Sequence, residues 1–121
     1  RLKEGLWELG DSFILPVPCE NSDPCWFGFL ITCKEGCDRN RVVQYAESQG
    51  VQTRMLFSGN LTKHPCFDQM RKEQRGYRIA GGLEATDRIM TDTFWIGVYP
   101  GMTDEMLDRM IQVLKDAVKK Q

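Results

Sequence analysis

The sequence predicts an α/β sandwich of the α+β kind, a small and mainly antiparallel sheet covered by helices that lie largely on one face. Three observations predict it. Trp26-Phe27-Gly28-Phe29-Leu30-Ile31-Thr32-Cys33 is an aromatic and β-branched run that reads as a strand buried on at least one face. Phe94-Trp95-Ile96-Gly97-Val98 is a second apolar strand, ended by Pro100. From Thr103 onward, apolar residues recur at helical spacing.

Taken in order, Phe13-Ile14-Leu15 precedes Pro16 and Pro18, which confine it to a short strand at a sheet edge. Residues 19 to 25 form a loop before the Trp26 strand. Asp38 is placed to cap a helix through Val42, Val43, Tyr45 and Ala46, and Gly50 supplies the left-handed residue that stops it. Val51 to Phe57 follows as a strand, with Val51, Thr53, Met55 and Phe57 on one face and Gln52, Arg54 and Leu56 on the other. After Asn60 the periodicity is lost. His64-Pro65-Cys66-Phe67 begins a short helix that ends in the charged stretch Arg71 to Gly76, and Tyr77 to Ala80 is an extended segment before Gly81-Gly82. Leu83 to Thr91 reads as a helix with Ala85, Ile89 and Met90 inward. In the last helix, capped by Thr103, the stripe is Met106, Met110, Val113, Leu114 and Ala117, widened by Leu107, Ile111 and Val118. Asp104 and Glu105 lie in its first turn, and Lys119 and Lys120 at its end. Methionines at that spacing read as core residues.

A chain of 121 residues is one domain at most. Sixteen basic against seventeen acidic residues leave a net charge of -1, with no basic stripe interleaved with aromatics, so neither nucleic acid nor an anionic membrane is the expected partner. The longest apolar run, Trp26 to Ile31, is far too short to cross a bilayer, and the expected location is cytoplasmic. Five cysteines, an odd number without an export pattern, read as free thiols. Their spacing lacks the close pairs of a metal site, Cys33 and Cys37 being nearest, and no metal is expected. Asn60-Leu61-Thr62 matches a glycosylation sequon, which has no use in a cytoplasmic protein. The chain opens without an initiator methionine, at Leu2, Leu6 and Leu9 in helical spacing, as a piece of a longer protein would. On that reading Leu6 and Trp7 pack on a body that lies outside this sequence.

The stretch Thr53-Arg54-Met55-Leu56-Phe57-Ser58-Gly59-Asn60-Leu61-Thr62 carries the most chemistry. Arg54 offers a forked donor set to phosphate or carboxylate, Asn60 can donate and accept, and Ser58 and Gly59 sit between them. That combination suits an anionic, hydroxyl-rich ligand such as a phosphorylated sugar. A surface arginine followed by a turn Gly-Asn accounts for the same residue types. Catalytic groupings are scarce. His64 is the one histidine and stands beside a proline, Gly81-Gly82 is a turn pair, and Asp87 and Asp92 read as surface charges. No catalytic residue is assigned.

Trp26-Phe27-Gly28-Phe29, then Gly50 to Thr62, then Thr86-Asp87-Arg88-Ile89-Met90, and finally Phe94 to Thr103 resemble, in that order, the C-terminal domain of the DegT/DnrJ/EryC1/StrS sugar aminotransferase superfamily. Within it the sequence is most similar to the CDP-4-keto-6-deoxyglucose 3-dehydrase type of lipopolysaccharide-biosynthesis protein. The resemblance implies the small domain of a fold-type I pyridoxal-phosphate enzyme: residues 1–10 end a linking helix from a large domain, and residues 11–121 are the C-terminal small domain. It implies a nucleotide-sugar substrate, a homodimer in the full-length protein, and PLP or PMP held by the large domain, with no cofactor in this chain. Arg54 and Asn60, with Ser58 and Gly59, fall on the family's substrate-side positions. The family's histidine that replaces the cofactor lysine belongs to the large domain, so His64 does not take that role. His64 itself departs from the glutamine expected before the proline.

The reading by resemblance is thus a nucleotide-sugar 3-dehydrase in deoxysugar (lipopolysaccharide O-antigen) biosynthesis, with the small domain helping to close the active site. Alternatives are the small domain of a nucleotide-sugar aminotransferase, a stand-alone ligand-binding α/β module, and a metal- or cluster-binding module.

Overall fold

A computed structural model describes residues 1–120. Its elements are α1 (Leu2–Gly5), a 3-10 turn (Trp7–Leu9), β1 (Phe13–Ile14), β2 (Gly28–Cys33), α2 (Arg39–Ser48) and β3 (Thr53–Met55). Two 3-10 turns (Leu61–Lys63 and Pro65–Phe67) lead into α3 (Asp68–Glu73), α4 (Glu84–Asp92), β4 (Thr93–Gly97) and α5 (Asp104–Lys119). The four strands form one antiparallel sheet in the order β1-β2-β4-β3.

The alternation of side chains along the two central strands explains the layering. Phe29, Ile31 and Cys33 of β2, with Phe94 and Ile96 of β4, are buried on one face. There they pack with Val42, Val43 and Ala46 of α2 and with Met110, Ile111, Val113, Leu114 and Ala117 of α5. Leu30 and Trp95 stand opposite one another on the other face. The two long helices, α2 and α5, start where their caps dictate. The Asp38 carboxylate accepts from Asn40 N at 2.8 Å, and Thr103 Oγ1 accepts from Met106 N at 3.3 Å. Gly28 lies under the Trp95 ring, which a Cβ at that position would strike.

Five expectations are corrected by packing. The strand expected from Trp26, β2, begins at Gly28, because its partner β4 ends at Gly97, directly opposite. The strand after α2 is only Thr53–Met55. It is an edge strand whose single neighbour supplies just Phe94, Trp95 and Ile96, so Leu56 and Phe57 have nothing to pair with and Phe57 is 93% exposed. Leu6, expected to pack on a body outside the chain, is fully buried in this core, while Trp7 is exposed. In α4, Ala85 and Ile89 face solvent, whereas Asp87 and Met90 turn inward toward the loop after β3. Met106, counted in the stripe of α5, lies beyond the end of the covered face and is 43% exposed.

Truncation separates the two ends of that stripe. Leu114→Ala removes a fully buried side chain and should destabilise the fold by about 2 to 5 kcal/mol. Met106→Ala should change stability by less than about 0.5 kcal/mol, the range of surface substitutions. Urea denaturation of both variants measures the contrast.

Candidate functional site

The edge position of β3 sets the site. Arg54 is paired with Trp95, so its side chain shares the open face of the sheet with Trp95 and Leu30. Its Nη1 donates to the Thr53 carbonyl at 2.9 Å, while Nε and Nη2 have no acceptor among the described residues. The guanidinium is therefore exposed with most of its donors free. Beside it Leu30, Trp95, Leu56, Phe57, Trp26 and Phe27 line an apolar groove of about 280 Å³. The Phe27 and Trp95 rings lie 5.1 Å apart.

Beyond β3 the chain leaves the sheet, and side chains hold it instead. Asn60 is 1% exposed. Its carboxamide oxygen accepts from Thr62 N at 3.0 Å and from Thr62 Oγ1 at 2.6 Å, and its Nδ2 donates to Asp87 Oδ1 at 2.6 Å. Lys63 Nζ reaches the same carboxylate oxygen at 2.8 Å. The Lys63 ammonium and the Asn60 amide together hold the Asp87 carboxyl below its ordinary value. His64 Nε2 lies 2.7 Å from the Ser58 carbonyl and closes the loop from the other side. Arg71 donates to the Thr62 and His64 carbonyls and pairs with Asp68.

Gly59 sits at the tip of this loop with φ +65°, a conformation that side chains other than glycine resist. A Cβ there would also lie 2.7 Å from Met90 Cγ. Ser58 and Gly59 are half-buried. The four candidate residues thus occupy one continuous stretch but differ in kind. Arg54 presents its charge outward, whereas Asn60 has its oxygen doubly bonded and its nitrogen committed to Asp87. The free-ended amide expected beside Arg54 is instead a cap and a tie.

Asp87, taken from the sequence as a surface charge, is a member of the site's support. The signal for the cap was present in Asn60-Leu61-Thr62, because an asparagine two residues before a backbone N–H is a turn-starting pattern as well as a sequon. Nothing local pointed to Asp87, which comes from another element.

Cys33, at the end of β2, is buried, and burial pushes its thiol well above the ordinary range. No group of three metal-ligating side chains occurs among the described residues. No described helix is long and apolar enough to cross a membrane.

A dTDP-4-dehydro-2,6-dideoxy-D-glucose 3-dehydratase of Saccharopolyspora spinosa is 45% identical over 122 residues, covering 99% of this chain and 25% of that protein. The lipopolysaccharide biosynthesis protein RfbH of Salmonella typhimurium is 44% identical over 117 residues, covering 95% of this chain and 26% of its own length. The chain therefore spans about a quarter of the length of these curated relatives.

Two solved structures share the fold. The E coli GDP-4-keto-6-deoxy-D-mannose-3-dehydratase with bound hydrated PLP has a TM-score of 0.74 at 17% identity, over 93% of this chain and 28% of that one. The aminotransferase TlmJ from Streptoalloteichus hindustanus has a TM-score of 0.77 at 15% identity, over 99% of this chain and 30% of that one. The model of the DegT/DnrJ/EryC1/StrS aminotransferase family matches residues 1–115, from α1 into α5 and across the whole sheet with its tied loop, and the chain belongs to that family.

Proposed function

We propose that this chain is the C-terminal small domain of a PLP- or PMP-dependent enzyme that removes the 3-hydroxyl of a nucleotide-linked 4-keto-6-deoxy sugar in deoxysugar biosynthesis. Residues 1–10 lead in from a large domain and residues 11–121 form the small domain. The full-length protein is a cytoplasmic homodimer. One observation carries the site assignment: an exposed guanidinium on an edge strand is followed at once by a loop held rigid from three sides. The 44–45% identity to a sugar 3-dehydratase and to RfbH supports the reaction class over transamination.

The residues present do not fit the cofactor itself. None of the lysines is buried, and Lys63 and Lys115 are committed to Asp87 and Glu8. His64 is committed to the Ser58 carbonyl. A Schiff-base lysine needs a desolvated pocket, which no lysine here has. The cofactor belongs to the large domain, and this chain's part is to bind and orient. Arg54 supplies forked donors to a phosphate or sugar oxygen. Asn60 and Asp87 hold the loop that carries Ser58 and Gly59 in place.

Two substitutions separate binding from support. In the full-length enzyme Arg54→Ala should lower kcat/KM for a CDP-linked 4-keto-6-deoxy sugar by about 10- to 150-fold. That corresponds to roughly 1.5 to 3 kcal/mol for a charge-assisted contact, with the melting temperature unchanged. Asn60→Ala strands the part-buried Thr62 N–H and leaves the Asp87 carboxylate with Lys63 alone, so it should cost about 1 to 3 kcal/mol of stability and lower the melting temperature as well. Wild-type kinetics in Arg54→Ala would remove Arg54 from the site.

The tie also has a pH dependence of defined sign. Because the folded carboxyl of Asp87 is held below its unfolded value, its stabilisation is complete above about pH 4 and is lost as pH falls through the lower folded value. Amide resonances of Asn60 and Thr62 followed by NMR should shift together with a midpoint below that of an ordinary aspartate, and the shift should vanish in Asp87→Asn.

Absorbance titration of the isolated chain with pyridoxal phosphate should give no stoichiometric aldimine band, in contrast to the full-length enzyme. A stoichiometric band would place a cofactor anchor in this chain.

A further inference from the structure

Two thiols meet where β2 gives way to α2. Cys33 closes the strand and is buried on the face that carries Phe29 and Ile31, while Cys37 packs against the same core but is only half-buried. Their side chains hydrogen-bond to one another. The segment between them is held on both sides, so the two sulfurs stay together. Cys37 N donates to the Lys34 carbonyl at 3.0 Å, and Gly36 takes the left-handed φ of +86° that this turn requires. Lys34 is fastened to the approach to β1, its N donating to the Ser12 carbonyl at 2.8 Å and its Nζ to the Gly10 carbonyl. On the other side Asp38, the residue after Cys37, caps α2.

The two sulfurs differ in character. Burial first, and then the neighbouring Cys37, push the Cys33 thiol well above the ordinary range, so Cys33 keeps its proton and is a poor nucleophile toward anything in solvent. Cys37 is the sulfur that solvent reaches. Neither residue lines the Arg54 groove, so the pair stands apart from the nucleotide-sugar reading.

We infer that Cys33 and Cys37 form a reversible dithiol/disulfide site, with Cys37 as the attacking sulfur, Cys33 as the resolving sulfur and a small soluble disulfide as co-reactant. In the first step Cys37 loses its proton to solvent and attacks one sulfur of the reagent. That S–S bond breaks, and the other half of the reagent leaves as a thiolate that takes up a proton. In the second step Cys33 attacks the Cys37 sulfur of the mixed disulfide and expels the remaining half, to which its own proton passes. Two protein thiols are oxidised to one disulfide, and the reagent is reduced to two thiols. Because the sulfurs are already in contact, closing the bond takes side-chain rotation and no unfolding. The bond ties the end of β2 to the start of α2.

The test is incubation of the native full-length protein with glutathione disulfide, followed by acid quenching, alkylation and mass-spectrometric mapping of every cysteine. Wild type should acquire an internal Cys33 to Cys37 disulfide, removed by dithiothreitol, with no lasting glutathione adduct on Cys37. Cys19, Cys25 and Cys66 are exposed and have no hydrogen-bonded thiol among the described residues, so they should keep the adduct. Cys33→Ala should strand the adduct on Cys37, because the resolving sulfur is gone. Cys37→Ser should leave Cys33 as an unmodified thiol. That variant alters a half-buried position and decides the case if Cys33→Ala does not fold. A stable adduct on Cys37 of wild type, an unreacted Cys37, or a bond from either sulfur to another cysteine would overturn the inference, as would an adduct on Cys33 in Cys37→Ser.

Discussion

The structure depends on burying one face of two adjacent strands. β2 and β4 present Phe29, Ile31, Phe94 and Ile96 to the same side, and α5 and α2 close over them with Leu114, Val113, Val42 and Ala46. Phe94, Ile96, Ile31 and Leu114 are fully shielded from solvent. At about 25 cal/mol per Å² of apolar surface, this layer is the main favourable contribution to the fold. It also fixes register, because a slip by one residue in β4 would send Trp95 into the core and Phe94 out of it. Gly28 belongs to the same constraint, since the Trp95 ring lies where any side chain at that position would be.

That arrangement leaves the functional segment with little help from the sheet. β3 touches only β4, and its ladder ends at Met55 because β4 starts at Thr93, directly after α4. From Leu56 to His64 the backbone has no ladder; the turn Leu61–Lys63 makes two backbone bonds of its own, and side chains hold the rest. Asn60, Asp87, His64 and Arg71 do this, and Thr32 and Thr93 brace the sheet nearby through a 2.9 Å hydroxyl contact. A binding loop with few sheet bonds and many side-chain ties keeps its shape without a buried core of its own, and its tip can approach a ligand closely. It also accounts for the two kinds of residue within one short stretch: Arg54 free on the edge, Asn60 buried and committed.

The same tie explains the orientation of α4. Its apolar residues, read alone, put Ala85 and Ile89 inward. Asp87 and Met90 are the residues that meet the loop, one through Asn60 and Lys63 and the other under Gly59. A short helix with little apolar content is turned by its best single contact rather than by its weak stripe. The longer α5, sixteen residues with a continuous stripe, obeys its pattern apart from Met106 near its first turn.

Local signals were enough wherever a feature depends on neighbours in sequence. The Asp38 and Thr103 caps, the Gly50 stop, the central strands and the inward face of α5 could be read directly, and so could the family, from the ordered segments around Trp26, Arg54 and Trp95. Arg54 was legible as an outward cation because strand alternation sets its face. The partners of Asn60, the inward turn of Asp87, the burial of Leu6 against α5 and the early end of β3 were not legible. Each depends on residues tens of positions away, as the separation of 27 between Asn60 and Asp87 illustrates. Spacing along a chain encodes which face a side chain takes, but what stands opposite that face is decided only when the sheet and helices have packed.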